Sequence, residues 1–193
     1  PNPDLDPEQA LSVEAGLEYP VGRGSTVSGT VFYSRMRDAI EPFFVEPNVY
    51  QLRNRASVRH RGVELAWRGR IGTRHDLTAA YTLLDRSASG ESGLPDDELP
   101  EHVMSAQLRS RITERVALTA GVQIESSRNA LNDAGAPVPL GGFALWNAGL
   151  SWNATPALRW DVGVTNLFDR NVERVEGYPE PGRRLYARLA WSM

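Results

Sequence analysis

The sequence predicts an all-β fold, and within that class an antiparallel transmembrane β-barrel. Three observations carry the prediction: apolar side chains alternate with polar or small ones in segments of about ten residues, short and long connections take turns between the segments, and no segment shows helical periodicity. Alternation places apolar side chains on one face of a strand and wettable side chains on the other. About ten residues, tilted at about 45°, is the length that a membrane-spanning strand requires.

About nine segments show this alternation and are predicted to be strands. They are Leu11–Tyr19, Val27–Ser34, Val63–Ile71, Leu77–Leu83, Met104–Ile112, Val116–Glu125, Trp146–Asn153, Leu158–Thr165 and Arg184–Met193. Parallel strands would need crossover connections, so the order along the sheet is predicted to be antiparallel. Met104–Ile112 alternates least clearly, and without it the chain would have the strand number of a small eight-stranded barrel.

The connections between these segments fall into two classes that alternate along the chain. Short ones lie at 21–24, 72–74, 113–115 and 155–157, and long ones run about 41–54, 87–101, 129–142 and 174–183. Tight turns on one rim and long loops on the other are typical of bacterial outer-membrane barrels, whose turns are periplasmic and whose loops are extracellular. Trp152, Trp160 and Trp191 lie near the short-turn ends, where an aromatic girdle is expected.

A soluble β-sandwich is the competing interpretation, because its half-buried strands alternate as well. Nothing in a sandwich requires short turns at one end and long loops at the other across four hairpins. The two interpretations differ in what covers the apolar face: a second sheet or a layer of helices over Leu150, Val162 and Leu189 would indicate a sandwich. Nine strands would also leave two unpaired edges, so we expect further strands upstream of Pro1, together with any signal peptide.

Composition narrows the function classes. The chain of 193 residues is 41% hydrophobic with a mean hydropathy of -0.38, and it contains no apolar run of the roughly 18 residues that a spanning helix needs. The formal net charge is -3 and all 21 basic residues are arginine, so there is no basic excess for nucleic-acid binding. Cysteine is absent, which removes disulfides, thiol catalysis and cysteine-based zinc sites.

Several segments between the predicted strands resemble those of TonB-dependent outer-membrane receptors. The matching segments are Asn2-Pro3-Asp4-Leu5-Asp6-Pro7-Glu8 followed by a strand with Glu14 and Gly16, Asn54 followed by Gly62-Val63-Glu64, Pro100-Glu101-His102, Asn166-Leu167-Phe168-Asp169, Gly177-Tyr178-Pro179 and Pro181-Gly182-Arg183. They span nearly the whole chain in the order of that family's last strands. The final strand also resembles an outer-membrane assembly signal, with Met193 where such proteins usually carry phenylalanine.

The resemblance implies that residues 1–193 are the C-terminal segment of a barrel of about 22 strands whose lumen is closed by an N-terminal plug. It implies a location in the cell outer membrane of a Gram-negative bacterium, in contact with outer-membrane lipid. It also implies active import of a scarce nutrient, such as a ferric siderophore or cobalamin, energised by TonB through a segment outside this sequence. A structural or adhesive barrel without transport is the alternative function, and no cofactor is implied.

We predict neither catalytic nor metal-binding residues. His60 and His75 have no nucleophile at a useful sequence spacing. His102 and Ser105 share one junction between a loop and a strand, but they point to opposite faces of the strand. No metal-protease or phosphate-loop motif is present. The chain is therefore not predicted to be an enzyme.

Two sets of charged residues are candidates for ligand contact. The first is an acidic stretch in one long loop, which could face a ligand or attract a cation such as Ca²⁺, although such runs are more often solvated loops. Its members are Glu91, Asp96, Asp97, Glu98 and Glu101. The second set is predicted to face the barrel lumen, where its members could contact a substrate, but pairing with one another or with a plug is favoured. Its members are Glu125, Arg159, Asp161, Arg184 and Arg188.

Overall fold

All regular secondary structure in the described part of the chain is β-strand. The computed structural model describes residues 2–22, 24–46, 49–54, 57–89, 97–132 and 135–192. The strands are β1 (Gln9–Pro20), β2 (Thr26–Arg37), β3 (Ile40–Glu46), β4 (Val49–Asn54), β5 (Ser57–Ile71), β6 (His75–Ser89), β7 (His102–Arg111), β8 (Val116–Glu125), β9 (Arg128–Leu131), β10 (Pro137–Leu140), β11 (Phe143–Asn153), β12 (Leu158–Thr165), β13 (Glu173–Val175), β14 (Tyr178–Pro179) and β15 (Arg184–Trp191). Within these ranges no helix is long and apolar enough to cross a bilayer.

The main sheet is antiparallel and follows the order of the chain. Its strands are β1, β2, β5, β6, β7, β8, β11, β12 and β15, each paired with the next. The predicted all-β, antiparallel class is confirmed, and the weakly alternating Met104–Ile112 segment corresponds to β7, which pairs with both neighbours. The sheet does not close on itself within this chain, since β1 and β15 form its two edges.

The predicted alternation of short turns and long connections is also confirmed. Consecutive main strands are joined by tight turns after β1, β5, β7 and β11, and by long segments after β2, β6, β8 and β12. The interpretation of the long segments as plain loops was wrong in three cases, because they contain the hairpins β3–β4, β9–β10 and β13–β14. Strands β5 and β6 also extend further toward this rim than the apolar alternation suggested, since their rim ends carry charged residues.

One face of the main sheet is apolar across all nine strands, because the pairing keeps apolar residues opposite one another. Leu118 of β8 pairs with Leu150 of β11, which pairs with Val162 of β12. Their exposed fractions are 44%, 37% and 42%, and Leu189 of β15 is 53% exposed. The other sheets among the described residues are two-stranded hairpins, so no second sheet or helical layer covers this face there. The described residues therefore lack the covering layer that a sandwich would have.

Aromatic side chains mark the short-turn rim of the apolar face. Trp152 lies directly opposite Trp160 in the β11–β12 ladder, and Trp191 pairs with Leu158 at the start of β12. All three indoles are at least 40% exposed. Their predicted position near the short-turn ends is confirmed, and an indole there can meet apolar and polar surroundings at once.

Two asparagines from the matching segments fix the chain at the long-loop rim. The Asn54 amide donates to the backbone carbonyl oxygens of Asp6 (2.8 Å) and Asp38 (2.6 Å), and its oxygen accepts from the Asp6 N–H at 2.7 Å. Asn166 adopts a left-handed backbone with φ 50°. Its side chain bonds both backbone groups of Arg170 at 2.8 Å, so it closes the turn that leaves β12.

Candidate functional site

The opposite face of the main sheet is polar, and its groups converge on a shallow groove. The ladders place Gln107 of β7 beside Gly121 of β8 and Gly121 beside Asn147 of β11. The groove has a volume of about 260 Å³ and is also lined by Gln123 and Tyr186. The amide side chains that line the groove suit a water-filled or protein-filled lumen.

Glycines give this polar face its shape where Tyr186 crosses two strands. A Cβ atom built on Gly163 would lie 2.4 Å from the Tyr186 hydroxyl and 2.7 Å from the carbonyl oxygen of Ala148. A Cβ atom on Gly149 would meet the same hydroxyl at 3.0 Å. The phenol therefore lies flat across β12 and β11 because both strands carry a hydrogen in place of a side chain at these positions.

Three of the predicted lumen-facing residues form one cluster near the short-turn rim. The Arg159 guanidinium donates to the Asp161 carboxylate at 2.7 Å, and the Ser151 hydroxyl donates to the same oxygen at 2.6 Å. Arg188 stands directly opposite Asp161 in the β12–β15 ladder. Arg184 is four residues along β15, opposite Thr165, at the long-loop end of the strand.

Glu125, the fifth predicted residue of that set, is buried at the long-loop end of β8. Its carboxylate pairs with the guanidinium groups of Arg128 and Arg174, with the Arg174 distance at 3.1 Å, and accepts from the Gln123 amide at 2.8 Å. Arg174 also pairs with Glu180 and lies 4.9 Å from the Phe143 ring centroid. The cluster ties the segment that follows β12 to β8. Sequence reasoning selected Glu125 but missed these partners, which alternation does not bring together.

The described residues of the acidic loop have separate surroundings. Glu91 and Asp96 lie outside the described residues. Asp97 is fixed by Asn129, whose amide donates to the Asp97 carboxylate at 2.6 Å and whose backbone N–H donates to the Asp97 carbonyl at 2.9 Å. Glu101 is exposed, and its carboxylate lies 3.9 Å from the His102 ring.

Glu98 is half-buried in the same loop. Burial raises the pKa of the Glu98 carboxyl, against the attraction of the Arg86 guanidinium and with the Glu41 carboxylate adding to the rise. Glu41 and Arg86 themselves form a buried ion pair at 3.3 Å, with side chains 7% and 5% exposed. Sequence reasoning missed this pair, because Glu41 was assigned to a loop and Arg86 lies beyond the apolar part of β6.

The histidines form contacts that sequence spacing did not suggest. The β6–β7 ladder brings the Ser110 hydroxyl to 2.9 Å from His75 Nδ1, and the Tyr81 hydroxyl lies 2.8 Å from His102 Nδ1. The fold thus brings a hydroxyl next to His75 from a residue 35 positions away in the sequence. In the part of the chain described, however, no carboxylate hydrogen-bonds to His75, as a catalytic serine and histidine pair would need. Nor does that part contain a group of three or more potential metal ligands.

An open antiparallel sheet with one apolar face, one polar face and strict turn parity defines a piece of an outer-membrane barrel wall. Residues 1–167 match the family model described as TonB dependent receptor-like, beta-barrel. The chain therefore belongs to the TonB-dependent receptor family, whose members are transport receptors of the Gram-negative outer membrane. Its own location is that membrane.

Individual relatives cover the whole chain at low identity. The iron-regulated outer membrane virulence protein of Vibrio cholerae serotype O1 is 27% identical over 209 aligned residues, which include 97% of this chain and 31% of the relative. The siderophore receptor PirA from Acinetobacter baumannii has a TM-score of 0.80 at 19% identity and covers 98% of this chain and 32% of its own. The copper transporter OprC has a TM-score of 0.82 at 18% identity, and the match covers 99% of this chain and 32% of OprC. The chain thus spans about a third of their length, and the structural likeness shows the fold.

Proposed function

We propose that residues 1–193 are the C-terminal segment of the barrel of a TonB-dependent import receptor, with the plug domain and the earlier strands upstream. The match of residues 1–167 to the family barrel carries the proposal. The two edges of the main sheet support it, because lipid offers no hydrogen-bond partner to the unpaired backbone groups of β1 and β15. Upstream strands would satisfy both edges in a closed barrel of about 22 strands.

The proposed activity is uptake of a metal chelate, most directly a ferric siderophore, with energy delivered by TonB through the plug. The relatives include an iron-regulated protein, a siderophore receptor and a copper transporter, which supports a metal-bearing cargo. Cobalamin is the alternative cargo. Specificity would depend on the long-loop rim, where the Glu125 and Glu41 ion pairs hold separate connections in one arrangement.

Arg184 is the described residue that we assign to contact with the cargo. It lies on the polar face at the long-loop end of β15 and is exposed. A guanidinium in that position suits an anionic chelate, because charge-assisted hydrogen bonds are stronger than neutral ones. Arg159, Asp161 and Arg188 are closer to the short-turn rim and bond or face one another, which suits packing against the plug. Asp97, Glu98 and Glu101 are proposed to border the route of entry, and Asp96 stays a prediction.

Growth under iron limitation tests the proposal. A strain lacking its own receptors, carrying the full-length protein, should grow on at least one chelate from a panel of ferric catecholates, ferric hydroxamates and citrate, and only when TonB is present. A vitamin-dependent strain supplied with cobalamin tests the alternative cargo. Equal growth with and without TonB on every compound would contradict active transport and favour a structural or adhesive barrel.

The role of Arg184 is tested with the chelate that supports growth. Arg184→Gln in the full-length receptor should weaken chelate binding by about tenfold, the effect of losing one charge-assisted hydrogen bond. Arg159→Gln is the matched control, since it removes an arginine from the same face near the other rim. Equal losses in the two variants would show that Arg184 has no special role at the rim.

A further inference from the structure

Four arginines lie together on the outward side of the sheet, beyond the apolar band at the long-loop rim. Arg35 of β2 stands directly opposite Arg59 of β5, and Arg61 is opposite Tyr33 in the same ladder. Arg37 is two residues beyond Arg35 and pairs with Gln9 of β1. All four share the alternation of Val31 and Val63 on the apolar face, and we name them the outer arginine patch.

The sheet balances only part of the charge of this patch. Asp85 of β6 pairs with Arg61 at 2.5 Å, with side chains 50% and 73% exposed. The ladder partners of the other three arginines include no carboxylate: Arg35 is opposite Leu11 and Arg59, Arg37 is opposite Gln9, and Arg59 is also opposite Ser87. Like charges directly opposite in an antiparallel pair repel. Arg35 makes a long 3.4 Å contact to the Ser57 hydroxyl, and its buried Nε has no hydrogen-bond partner among the residues that the structure describes.

The height of the patch matches the boundary of the bilayer. Arg35 and Arg59 are each four residues beyond Val31 and Val63 toward the long loops. At about 3.3 Å per residue, this is about 13 Å along the strand. With a strand tilt of about 40° it is about 10 Å along the membrane normal. On the outward side of β2 and β5, apolar side chains give way to charged ones over this distance, which is the change expected where hydrocarbon ends and the head groups of the outer leaflet begin.

The patch is local to this part of the wall. At the matching ends of the β8–β11 pair, the outward residues beyond Ile124 and Ala144 are Ser126 and Gly142. Neither carries a charge. Arginine is therefore not placed at this height on every strand pair.

We infer that the outer arginine patch binds the phosphate groups of the phosphorylated glycolipid in the outer leaflet. Guanidinium forks match phosphate oxygens in geometry and charge, and clustered basic residues beside a membrane span attract anionic head groups. A phosphate between Arg35 and Arg59 would relieve their repulsion and supply an acceptor for the Arg35 Nε. Asp85 holds Arg61 and so acts as a competing anion. The inference concerns the lipid-facing side and does not depend on the cargo.

Binding to delipidated, full-length receptor in detergent tests the inference. Native mass spectrometry with bisphosphorylated lipid A should show a bound complex whose dissociation constant rises about tenfold or more in the Arg35→Gln/Arg59→Gln variant. Arg68→Gln, on the polar face of the same strand β5, is the matched control and should leave the constant unchanged. Migration of unheated samples in gels verifies that each barrel is folded.

Three further measurements separate phosphate recognition from other effects. Asp85→Asn should tighten lipid A binding a few-fold, a gain that misfolding does not produce. Fully dephosphorylated lipid A should not bind, and inorganic phosphate at the same concentration should not displace the lipid. Unchanged affinity in Arg35→Gln/Arg59→Gln, equal binding of the dephosphorylated lipid, or displacement by inorganic phosphate would each overturn the inference.

Discussion

The two rims of this sheet are held in shape by different forces. At the short-turn rim the chain reverses within a few residues, and exposed indoles such as Trp152 and Trp160 stand opposite each other. At the long-loop rim the connections are longer and are tied down by buried ion pairs, Glu41 with Arg86 and Glu125 with Arg128 and Arg174.

The contrast follows from the cost of ordering the chain. Each ordered backbone residue costs about 1–2 kcal/mol of conformational entropy, so a tight turn needs little compensation and a long connection needs much. Ion pairs that join a connection to a main strand can offset this entropy cost only while both partners stay paired, because a lone buried charge is costly. The long-loop rim is therefore expected to be the more fragile of the two to single substitutions.

Breaking the Glu41–Arg86 pair should have the largest effect. Arg86→Ala leaves the Glu41 carboxylate buried, and the expected loss in free energy of unfolding is about 3–5 kcal/mol. Denaturant unfolding of the full-length receptor in detergent measures it. Arg70→Gln at the exposed Arg70–Asp76 pair, 3.3 Å apart at the short-turn rim, should cost at most about 1 kcal/mol. Equal costs would remove the contrast between the rims.

Filling the space under Tyr186 should have the next largest effect. Gly163→Ala is expected to cost about 1–3 kcal/mol, because the new Cβ meets a backbone oxygen of Ala148 as well as the phenol. Gly149→Ala should cost less, since only the mobile hydroxyl end of Tyr186 is within 3.0 Å. Adding Tyr186→Phe should restore stability in the Gly149→Ala variant but not in Gly163→Ala. Rescue of both by the same change would show that the backbone contact is unimportant.

Coupling between Trp152 and Trp160, which are directly opposite in the β11–β12 ladder, should be smaller. A double-mutant cycle with Trp152→Ala and Trp160→Ala should give an interaction energy of about 0.2–1 kcal/mol, as for other cross-strand pairs. Unfolding of the full-length receptor from lipid vesicles supplies the four stabilities. The pair Leu150 and Val162, also directly opposite in this ladder, is the aliphatic comparison and should couple less. An interaction energy of zero would mean that each indole contributes to stability independently, through its contact with lipid.

A change of pH should have the smallest effect, confined to the loop with Glu98. Its pKa is raised from the ordinary value of 4.5 by burial, so the folded loop holds the proton more tightly than the unfolded loop. The stabilisation of the folded loop by protonated Glu98 is fully present below pH 4.5, and it is lost as the pH rises through the raised pKa. Glu98→Gln should therefore slow hydrogen exchange at residues 97–101 at neutral pH and change nothing under acidic conditions. Glu101→Gln, at an exposed carboxylate, is the control.

Alternation was sufficient to predict the antiparallel sheet and the side of each strand, because the bilayer imposes a period of two on every spanning segment. It was insufficient where strands leave the apolar band. The ends of β5 and β6 that carry Arg61 and Arg86 extend past the apolar band, where polar residues occupy both faces and the period disappears. The partners of Glu125 were unpredictable for a related reason, since Arg174 is 49 residues away and only the folded connections bring it near.

The candidate site was predicted less completely than the fold. The sequence selected Arg159, Asp161 and Arg188, which the register places together, but gave no reason to separate them from Arg184 at the other rim. Met193 and its apolar slot lie outside the described residues. The sequence shows that these residues are charged. Their roles depend on how far along the strand they lie between the two rims, and that position follows from the register of the strand pairs.

Among the described residues, the main ladders run without a bulge, and the shifts in register occur in the hairpins β3–β4 and β13–β14. Adding or deleting one residue within any main strand would invert every side chain beyond that point and turn lumen groups toward hydrocarbon. Tolerated length changes should therefore come in pairs within the wall, whereas the rim hairpins are free of this parity constraint. New surface can thus be added most easily at the long-loop rim.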